Sequence, residues 1–524
     1  MTHILNITRR NFLYGAAATG LICGITGTPL SARAEDVPPP KRGGRLRIGH
    51  ASGATSDSID PATYSAGPVV TAMLGGVCNN LAEVDASGNI VPELAERMEP
   101  SPDAKTWTFH LRKDATFSNG KKLTPEDVIA SYNHHRGKDT TSSAKAILEE
   151  IVDIRKDGEN AVVFELKAGN ADFPFVTAEY QLVIMQDNGK GELDWKSGIG
   201  TGGYTLEVNE PGVRILLKRR DDYWKKDRAW FDEVELLTVN DPTARQNALI
   251  TDQVDVINGI DIKTLPLLQR QKGIHLVEVT GTAHYTMPMF CDVDPFKSVD
   301  VRLALKYSVD REDMLKKILR GHGRIGNDHP IAPANRFFAA DLPQRSYDPD
   351  KAKFHLKKAG QGGLKVQLFT SNAPFSGAVD AAILFQETAS KAGIQIDVKR
   401  EPEDGYWSNI WTKKPFCVSY WNGRPTEDSM FSLVYAKGAE WNDAHWDNER
   451  FNKLLVEARS ELDNGKRAQM YHEMQQIVSD DGGTIIPMFA NYIDARNEKV
   501  AHGEVAANRF FDGWKIVERW WSAI

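Results

Sequence analysis

The chain has 524 residues, a formal net charge of −7 at pH 7, and 26% charged residues. A mildly acidic soluble chain has no electrostatic footprint for nucleic acid, so we expect no nucleic-acid partner. The length exceeds what a single hydrophobic core organises, and we therefore expect two or three domains.

The N-terminus reads as an export signal. Arg9 and Arg10 stand in the run TRRNFL, an apolar stretch follows to about residue 28, and residues 31–34 read Ser-Ala-Arg-Ala. Such a signal has three parts: a positively charged N-terminal region, a short apolar segment, and small residues at the cleavage site. The paired arginines indicate the twin-arginine route. We predict that residues 1–34 are a twin-arginine signal peptide and that the mature chain is periplasmic.

The four cysteines are widely spaced. Cys23 falls within the predicted signal, and Ile22 before it is not the small residue that a lipoprotein signal needs. Cys78, Cys291 and Cys417 remain, an odd number that does not form a disulfide framework. The sequence leaves two alternatives open: one disulfide bridge between two of these cysteines, or three free thiols.

The predicted elements mix strands and helices along the chain. In order, we predict strands over 41–49, 107–111, 162–166 and 213–218, and helices over 69–81, 301–319 (interrupted at 310–311), 350–359, 451–463 and 467–478. A helix is also predicted to begin at Thr124, with Pro125 in its first position. A strand over 364–369, a helix over 378–392 and a strand over 394–398 make a βαβ unit, so we expect an α/β protein.

The run WTFHLRKDATFSNGKKLTPEDVIAS, over residues 107–131, resembles the signature of the family 5 extracellular solute-binding proteins, the dipeptide- and oligopeptide-binding class. Further stretches fit that family in the same order: Pro92–Ala95, Pro102-Asp103, Gly200–Tyr204 (with Gly203 in place of a proline), Asp222–Trp224, Val301–Leu305 with Val309–Arg311, and Tyr347–Pro349 with Lys351-Ala352. The resemblance covers nearly the whole chain after the signal.

The resemblance implies the two-lobed fold of periplasmic binding proteins, class II-like and of the large type, with mixed sheets and a hinge of two crossing strands. Lobe I is expected over 35–283 plus 493–524, with an extra subdomain at about 78–200. Lobe II is expected over 284–492.

The resemblance also implies a ligand site between the lobes. In peptide-binding relatives an aspartate in the second lobe pairs with the peptide's amino group, and that position falls here at Gly423, followed by Arg424. A guanidinium suits a carboxylate or phosphate. We therefore expect a peptide or peptide-like solute, or alternatively an opine, a sugar or a sugar phosphate. An ion pair of Arg424 with Glu427 or Asp428 is the structural alternative.

The candidate ligand-binding residues are Arg424, Trp421, Asn422, Gly423, Ser419, Tyr64, Ser65 and Trp407. The tryptophans offer flat apolar faces. The first-lobe loop with Tyr64 and Ser65 matches a strip that lines the cleft in relatives.

The predicted role is that of the substrate-binding component of an ABC importer, a monomer that delivers its solute to a membrane permease with ATPase subunits. We expect no enzyme, no cofactor and no metal site. The sequence has no G-x-S-x-G, no P-loop and no G-x-G-x-x-G at a strand-to-helix turn. A secreted hydrolase that uses cleft carboxylates is the alternative from another class.

Overall fold

The computed structural model describes residues 38–64 and 67–524. The predicted signal peptide and the candidate Ser65 lie outside these residues. Within the described chain, no helix combines the length and the apolar character that a membrane span requires. The three cysteines of the described residues, Cys78, Cys291 and Cys417, are all unpaired.

Helices occur along the whole described chain. They are α1 (Pro68–Ala72), α2 (Pro125–Asn133), α3 (Lys145–Leu148), α4 (Phe173–Val176), α5 (Pro242–Ile250), α6 (Leu265–Gln269), α7 (Val299–Tyr307), α8 (Arg311–Ile318), α9 (Pro349–Lys358), α10 (Ala378–Ser390), α11 (Tyr406–Asn409), α12 (Glu427–Val434), α13 (Glu449–Ser460), α14 (Asn464–Asp481), α15 (Phe510–Gly513) and α16 (Ile516–Arg519).

Strands alternate with these helices. They are β1 (Arg45–His50), β2 (Ala82–Val84), β3 (Ile90–Pro92), β4 (Ala95–Pro100), β5 (Thr106–Leu111), β6 (Ile151–Asp157), β7 (Ala161–Leu166), β8 (Tyr204–Glu210), β9 (Arg214–Arg219), β10 (Glu233–Thr238), β11 (Val256–Ile257), β12 (Ile274–Pro288), β13 (Gly323–Ile325), β14 (Lys365–Thr370), β15 (Gln395–Arg400), β16 (Ser419–Trp421), β17 (Thr484–Asn497), β18 (Val500–Ala501) and β19 (Trp521–Ser522).

Local capping signals predict helix starts correctly. The Asp127 carboxylate accepts from the backbone N–H and the hydroxyl of Thr124, at 2.9 and 2.8 Å, so α2 begins at Pro125 as expected. Asp310 accepts from the N–H of Asp313 at 3.0 Å and starts α8. This cap divides the predicted helix over 301–319 into α7 and α8.

One sheet of nine strands runs through the molecule in the order β16-β12-β17-β11-β1-β10-β9-β8, with β13 beside β17. Its longest pair is antiparallel, β12 with β17, from Ile274 opposite Asn497 to Pro288 opposite Thr484. The register of this pair shifts between Thr280 and His284.

Two large cores lie along this strand pair. One is built from residues within 46–277 and 500–520, and we call the part of the chain around it lobe I. The other is built from residues within 287–488, and we call its surroundings lobe II. Strand β12 contributes Val277 to the first core and Met287 to the second. The β12–β17 pair therefore connects the two lobes.

The signature stretch supports a smaller sheet of order β4-β5-β7-β6. Trp107, Phe109 and Leu111 of β5 alternate with more exposed residues and fill a core of their own. The indole Nε1 of Trp107 donates to the carbonyl of Asn170 at 3.0 Å. These residues form scaffold, and the predicted strand over 107–111 is confirmed.

The βαβ unit is also confirmed. Strands β14 and β15 are parallel, from Lys365 opposite Gln395 to Thr370 opposite Arg400, and α10 connects them. Helices α13 and α14 correspond to the two predicted amphipathic helices.

Glycines allow backbone segments of lobe I to approach one another closely. A Cβ on Gly200 would lie 2.1 Å from the carbonyl oxygen of Val77, and one on Gly202 would lie 2.1 Å from that of Gly76. A Cβ on Gly75 would lie 2.6 Å from the carbonyl oxygen of Trp514. The predicted helix over 69–81 is accordingly α1 followed by a π-helical turn over Met73–Val77, and it ends before residue 81.

We expect Gly202→Ala to lower the free energy of unfolding by at least about 2 kcal/mol, because the new methyl group meets backbone that cannot rotate away. Chemical denaturation of the protein measures this. Gly362→Ala is the matched control, since a Cβ there has no atom within 4 Å. Equal unfolding midpoints for the two variants would contradict the close approach.

Candidate ligand-binding site

The second-lobe stretch with most of the candidate residues forms β16 and the loop after it. Strand β16 is an edge strand, with Trp421 opposite His284 and Ser419 opposite Thr286. Ser419 and Trp421 lie on the same face because they are two positions apart. Their exposed fractions are 1% and 6%, so both are buried within lobe II, whereas Asn422 is exposed.

Trp421 belongs to a cluster of four tryptophans. Its ring centroid lies 5.9 Å from that of Trp411 and 5.7 Å from that of Trp441, and Trp407 contacts Trp411 at 5.9 Å. Asp443 accepts from the indole N–H groups of Trp411 and Trp421 at 3.1 and 3.3 Å. Burial raises the pKa of Asp443 to about 6. Trp407 is 40% exposed and lies at the outer side of the cluster.

Gly423 lies directly against the long strand β12. A Cβ on Gly423 would be 1.8 Å from Oγ1 of Thr282 and 2.0 Å from its Cβ. Any side chain at this position would overlap Thr282. The aspartate that the resemblance implies here has no room in this arrangement of the loop.

Arg424 is half-buried and lacks an acidic partner. Its Nη1 donates to the carbonyl oxygens of Asn422 and Gly423, both at 3.3 Å. Across residues 38–64 and 67–524, no carboxylate lies within ion-pairing distance of its guanidinium. Burial lowers the pKa of Arg424, while the more distant Glu179 acts in the opposite direction.

The two acids closest in sequence to Arg424 have other partners. Glu427 accepts from the backbone N–H of Phe337 at 2.6 Å, and burial raises the pKa of Glu427 to about 7. Asp428 pairs with Arg459 at 3.1 Å. The ion pair of Arg424 with either acid, which the sequence left open, does not form.

Arg424 lines a pocket between the lobes. Lobe II contributes the Gly423–Pro425 loop, and β12 contributes Thr282. Lobe I contributes residues from three segments that are far apart in sequence, within 74–84, 175–179 and 508–519. The enclosed space is about 50 Å³, which holds a few water molecules.

The other cations of the pocket are paired. Arg509 pairs with Glu179 at 3.2 Å, Lys515 pairs with Glu93 at 3.1 Å, and Arg519 pairs with Glu83. Arg424 is therefore the one cation of the pocket without a carboxylate partner among the residues that the structure describes.

A buried charge network forms the lobe I side of the pocket. Oxygens of Glu83, Glu93 and Glu518 lie within 4.8 Å of one another, and Lys225 contacts all three at 2.7–2.8 Å. Burial alone would raise the pKa of Glu83, but Lys225 and neighbouring cations hold it well below its usual range. The carboxylates are neutralised by side-chain cations, so the network is a rigid, charge-balanced wall.

Tyr64, predicted to line the cleft, belongs to the lobe I core. Its side chain is 2% exposed, and its hydroxyl donates to the carbonyl oxygen of Ile59 at 3.0 Å. It does not line the pocket with Arg424.

Four histidines whose imidazoles could serve as metal ligands have separate surroundings. His134 contacts Asp60 at 2.7 Å, His135 contacts Ser142 at 2.7 Å, and His322 contacts Glu278 at 3.0 Å. His329 is buried, which lowers its pKa to about 4.

A buried ion pair joins the subdomain of the signature to α14. Arg467 donates from both terminal nitrogens to the two oxygens of Asp172, with Nη1–Oδ1 at 2.8 Å. The side chains are only 2% and 7% exposed. Burial opposes the charge on Arg467, yet Asp172 raises its pKa above the ordinary value. The pair therefore fixes the distance between Asp172 and α14.

We expect Asp172→Asn to lower the free energy of unfolding by about 3 kcal/mol, because Arg467 is left as a buried charge without a counter-ion. Thermal and urea unfolding measure this. The control is Glu473→Gln, which breaks the exposed pair with Arg450 and should cost under about 1 kcal/mol. An Asp172→Asn variant as stable as the control would contradict a stabilising role of the buried pair.

Two lobes connected by long crossing strands, with a polar pocket between them, define the class of two-lobed solute-binding proteins. The model of the bacterial extracellular solute-binding proteins, family 5 (middle), matches residues 89–443. The chain belongs to this family, and it is the substrate-binding component of an ABC importer. The family comprises non-enzymatic binding proteins.

Known proteins are similar over most of the chain. The dipeptide-binding protein of Escherichia coli (strain K12) is 25% identical over 482 residues, which cover 83% of this chain and 88% of that protein. The structure of HbpA2 from Haemophilus parasuis matches with a TM-score of 0.80 at 20% identity, over 90% of this chain and 99% of the other. AgaA from A. tumefaciens R10, in complex with agropinic acid, matches with a TM-score of 0.70 at 25% identity, over 91% and 98%. The predicted two-lobed α/β fold is confirmed.

Proposed function

We propose that this protein captures a carboxylate-bearing solute in the pocket between its lobes, with Arg424 as the residue that binds the acid. The observation that carries the proposal is the half-buried guanidinium without an acidic partner among the described residues. A planar guanidinium pairs with a carboxylate through two parallel hydrogen bonds. An unpaired charge in a partly buried place is costly, and a bound anion removes that cost.

The contact of Gly423 with Thr282 argues against recognition of a free amino group at this position. A peptide's C-terminal carboxylate would still suit Arg424, so a peptide-like acid belongs to the proposed class. The similarity to AgaA, whose structure holds agropinic acid, supports the opine-like member of the class. Ser419 and Trp421 are buried, and neither they nor Trp407 and Asn422 line the pocket, so the proposal gives the ligand contact on the lobe II side to Arg424.

Binding requires the lobes to move apart. A space of about 50 Å³ is smaller than the pockets of roughly 300 Å³ or more that hold small molecules. We place the hinge in the β12–β17 pair, with lobe I over 35–283 plus 493–524 and lobe II over 284–492. The ligand would favour a state in which the lobes close over it less tightly than here, because only a ligand between the lobes contacts both of them. The closed monomer would then dock on a permease with ATPase subunits.

Replacement of Arg424 tests the role of the guanidinium. The solute that co-purifies with the protein from its source is weighed by native mass spectrometry, removed, and added back in calorimetry. We expect Arg424→Ala to weaken its binding by about 2 kcal/mol, the loss of one charge-assisted contact. Arg450→Ala, at an exposed pair far from the pocket in sequence, is the control. A co-purified solute without an acidic group, or unchanged affinity in Arg424→Ala, would overturn the proposal.

We further propose export by the twin-arginine pathway, on the strength of Arg9 and Arg10 before an apolar stretch. Replacement of both by lysine should leave the precursor in the cytoplasm, because the receptor reads the arginine pair. Fractionation and immunoblotting of the source bacterium measure this. Replacement of Lys41 and Arg42, a basic pair after the predicted cleavage site, is the control. Normal export of the Arg9-Arg10 variant would contradict export by the twin-arginine pathway.

A further inference from the structure

Two asparagines of lobe I add neutral polar groups to the pocket. Asn80 and Asn508 both line the pocket that contains Arg424. The side-chain oxygen of each is buried and has no hydrogen-bond donor in the described part of the chain. A buried acceptor without a donor is costly, and two of them in one pocket call for a common explanation.

The orientation of the Asn80 amide is fixed by its nitrogen. Nδ2 donates to the carbonyl oxygens of Thr177 and Glu179, at 3.3 and 2.8 Å. An exchange of the nitrogen and oxygen positions would place an acceptor against two acceptors. The residue is 1% exposed and lines the pocket, so Oδ1 is a buried acceptor without a donor among the described residues.

The donor that these amides need is uncharged. An ammonium group would prefer a carboxylate, but the acids that line the pocket have partners: Glu83 pairs with Arg519, and Glu179 with Arg509. A neutral amide oxygen suits a hydroxyl or an amide N–H.

We infer that the solute carries hydroxyl or amide N–H groups in addition to its carboxylate, so that one end meets Arg424 of lobe II and the other meets Asn80 and Asn508 of lobe I. The chemical class is a polyhydroxylated acid, either a sugar acid or a sugar conjugate of an amino acid. The inference rests on the proposed role of Arg424 and adds the requirement for a second end. A solute held at both ends bridges the lobes and thereby favours closure.

Three probes of the same chain length separate the two ends. Gluconate has a carboxylate and hydroxyls, hexanoate has the carboxylate alone, and sorbitol has the hydroxyls alone. We expect calorimetry on the ligand-free mature protein to give binding of gluconate at least about tenfold tighter than that of hexanoate or sorbitol, because each lost end removes hydrogen bonds.

Asn508→Ala isolates the second end. The Asn508 side chain makes no hydrogen bond within the described residues, so its removal should leave the unfolding midpoint nearly unchanged. We expect about fivefold weaker binding of gluconate, the effect of one neutral hydrogen bond, and no change for hexanoate. Asn209→Ala is the matched control, since Asn209 on β8 also has a buried oxygen without a donor and does not line the pocket.

The outcomes separate this inference from the proposed function. Gluconate and hexanoate binding equally well, with both lost in Arg424→Ala, would overturn the second end and leave the carboxylate site intact. Gluconate binding that is unchanged in Asn508→Ala would also overturn it, with water as the partner of the amide. Binding of none of the probes, or binding unaffected by Arg424→Ala, would overturn the proposed function itself.

Discussion

The pairing of β12 with β17 is the constraint on which the rest of the molecule depends. Strand β12 contributes to the cores of both lobes, and β17 contributes to the core of lobe II and pairs with β12 along its length. Their register shifts between Thr280 and His284, and Thr282 lies within that irregular segment. The same segment meets Gly423, so the irregularity in the long strand fixes where the loop of lobe II leaves the sheet and enters the pocket.

After the close contact at Gly423, the next residues of the chain have different partners. Thr426 caps α12 by accepting from the backbone N–H of Ser429 at 3.1 Å, Glu427 is committed to Phe337, and Asp428 to Arg459. Each of these contacts is satisfied within lobe II. Arg424 is the residue of the run whose charge is left without a partner in the described chain, and it lines the pocket together with Gly423 and Pro425.

Local signals in the sequence predicted much of the fold, and non-local contacts limited the prediction of the site. The cap at Thr124 acts over three residues, so the start of α2 was predictable, and the cap at Asp310 was predicted only as an interruption of one longer helix. Asn80, Asn508 and Arg424 line one pocket only because the tertiary fold brings their segments together. No spacing in the sequence links these residues. Tyr64 was placed in the cleft by resemblance, yet its ring lies in the lobe I core because the carbonyl of Ile59 satisfies its hydroxyl.

Charge balance explains why a single guanidinium can select a solute. The wall behind the pocket contains three carboxylates and three cations. Lys225 contacts Glu83, Glu93 and Glu518, Lys515 pairs with Glu93, and Arg519 pairs with Glu83. Because these charges neutralise one another over a few ångströms, they produce little net field in the pocket. An approaching anion is therefore attracted mainly by Arg424, and neutral amides decide the rest of the fit. This arrangement gives selectivity by hydrogen-bond geometry, since a solute with the carboxylate but without donors leaves the amide oxygens unpaired.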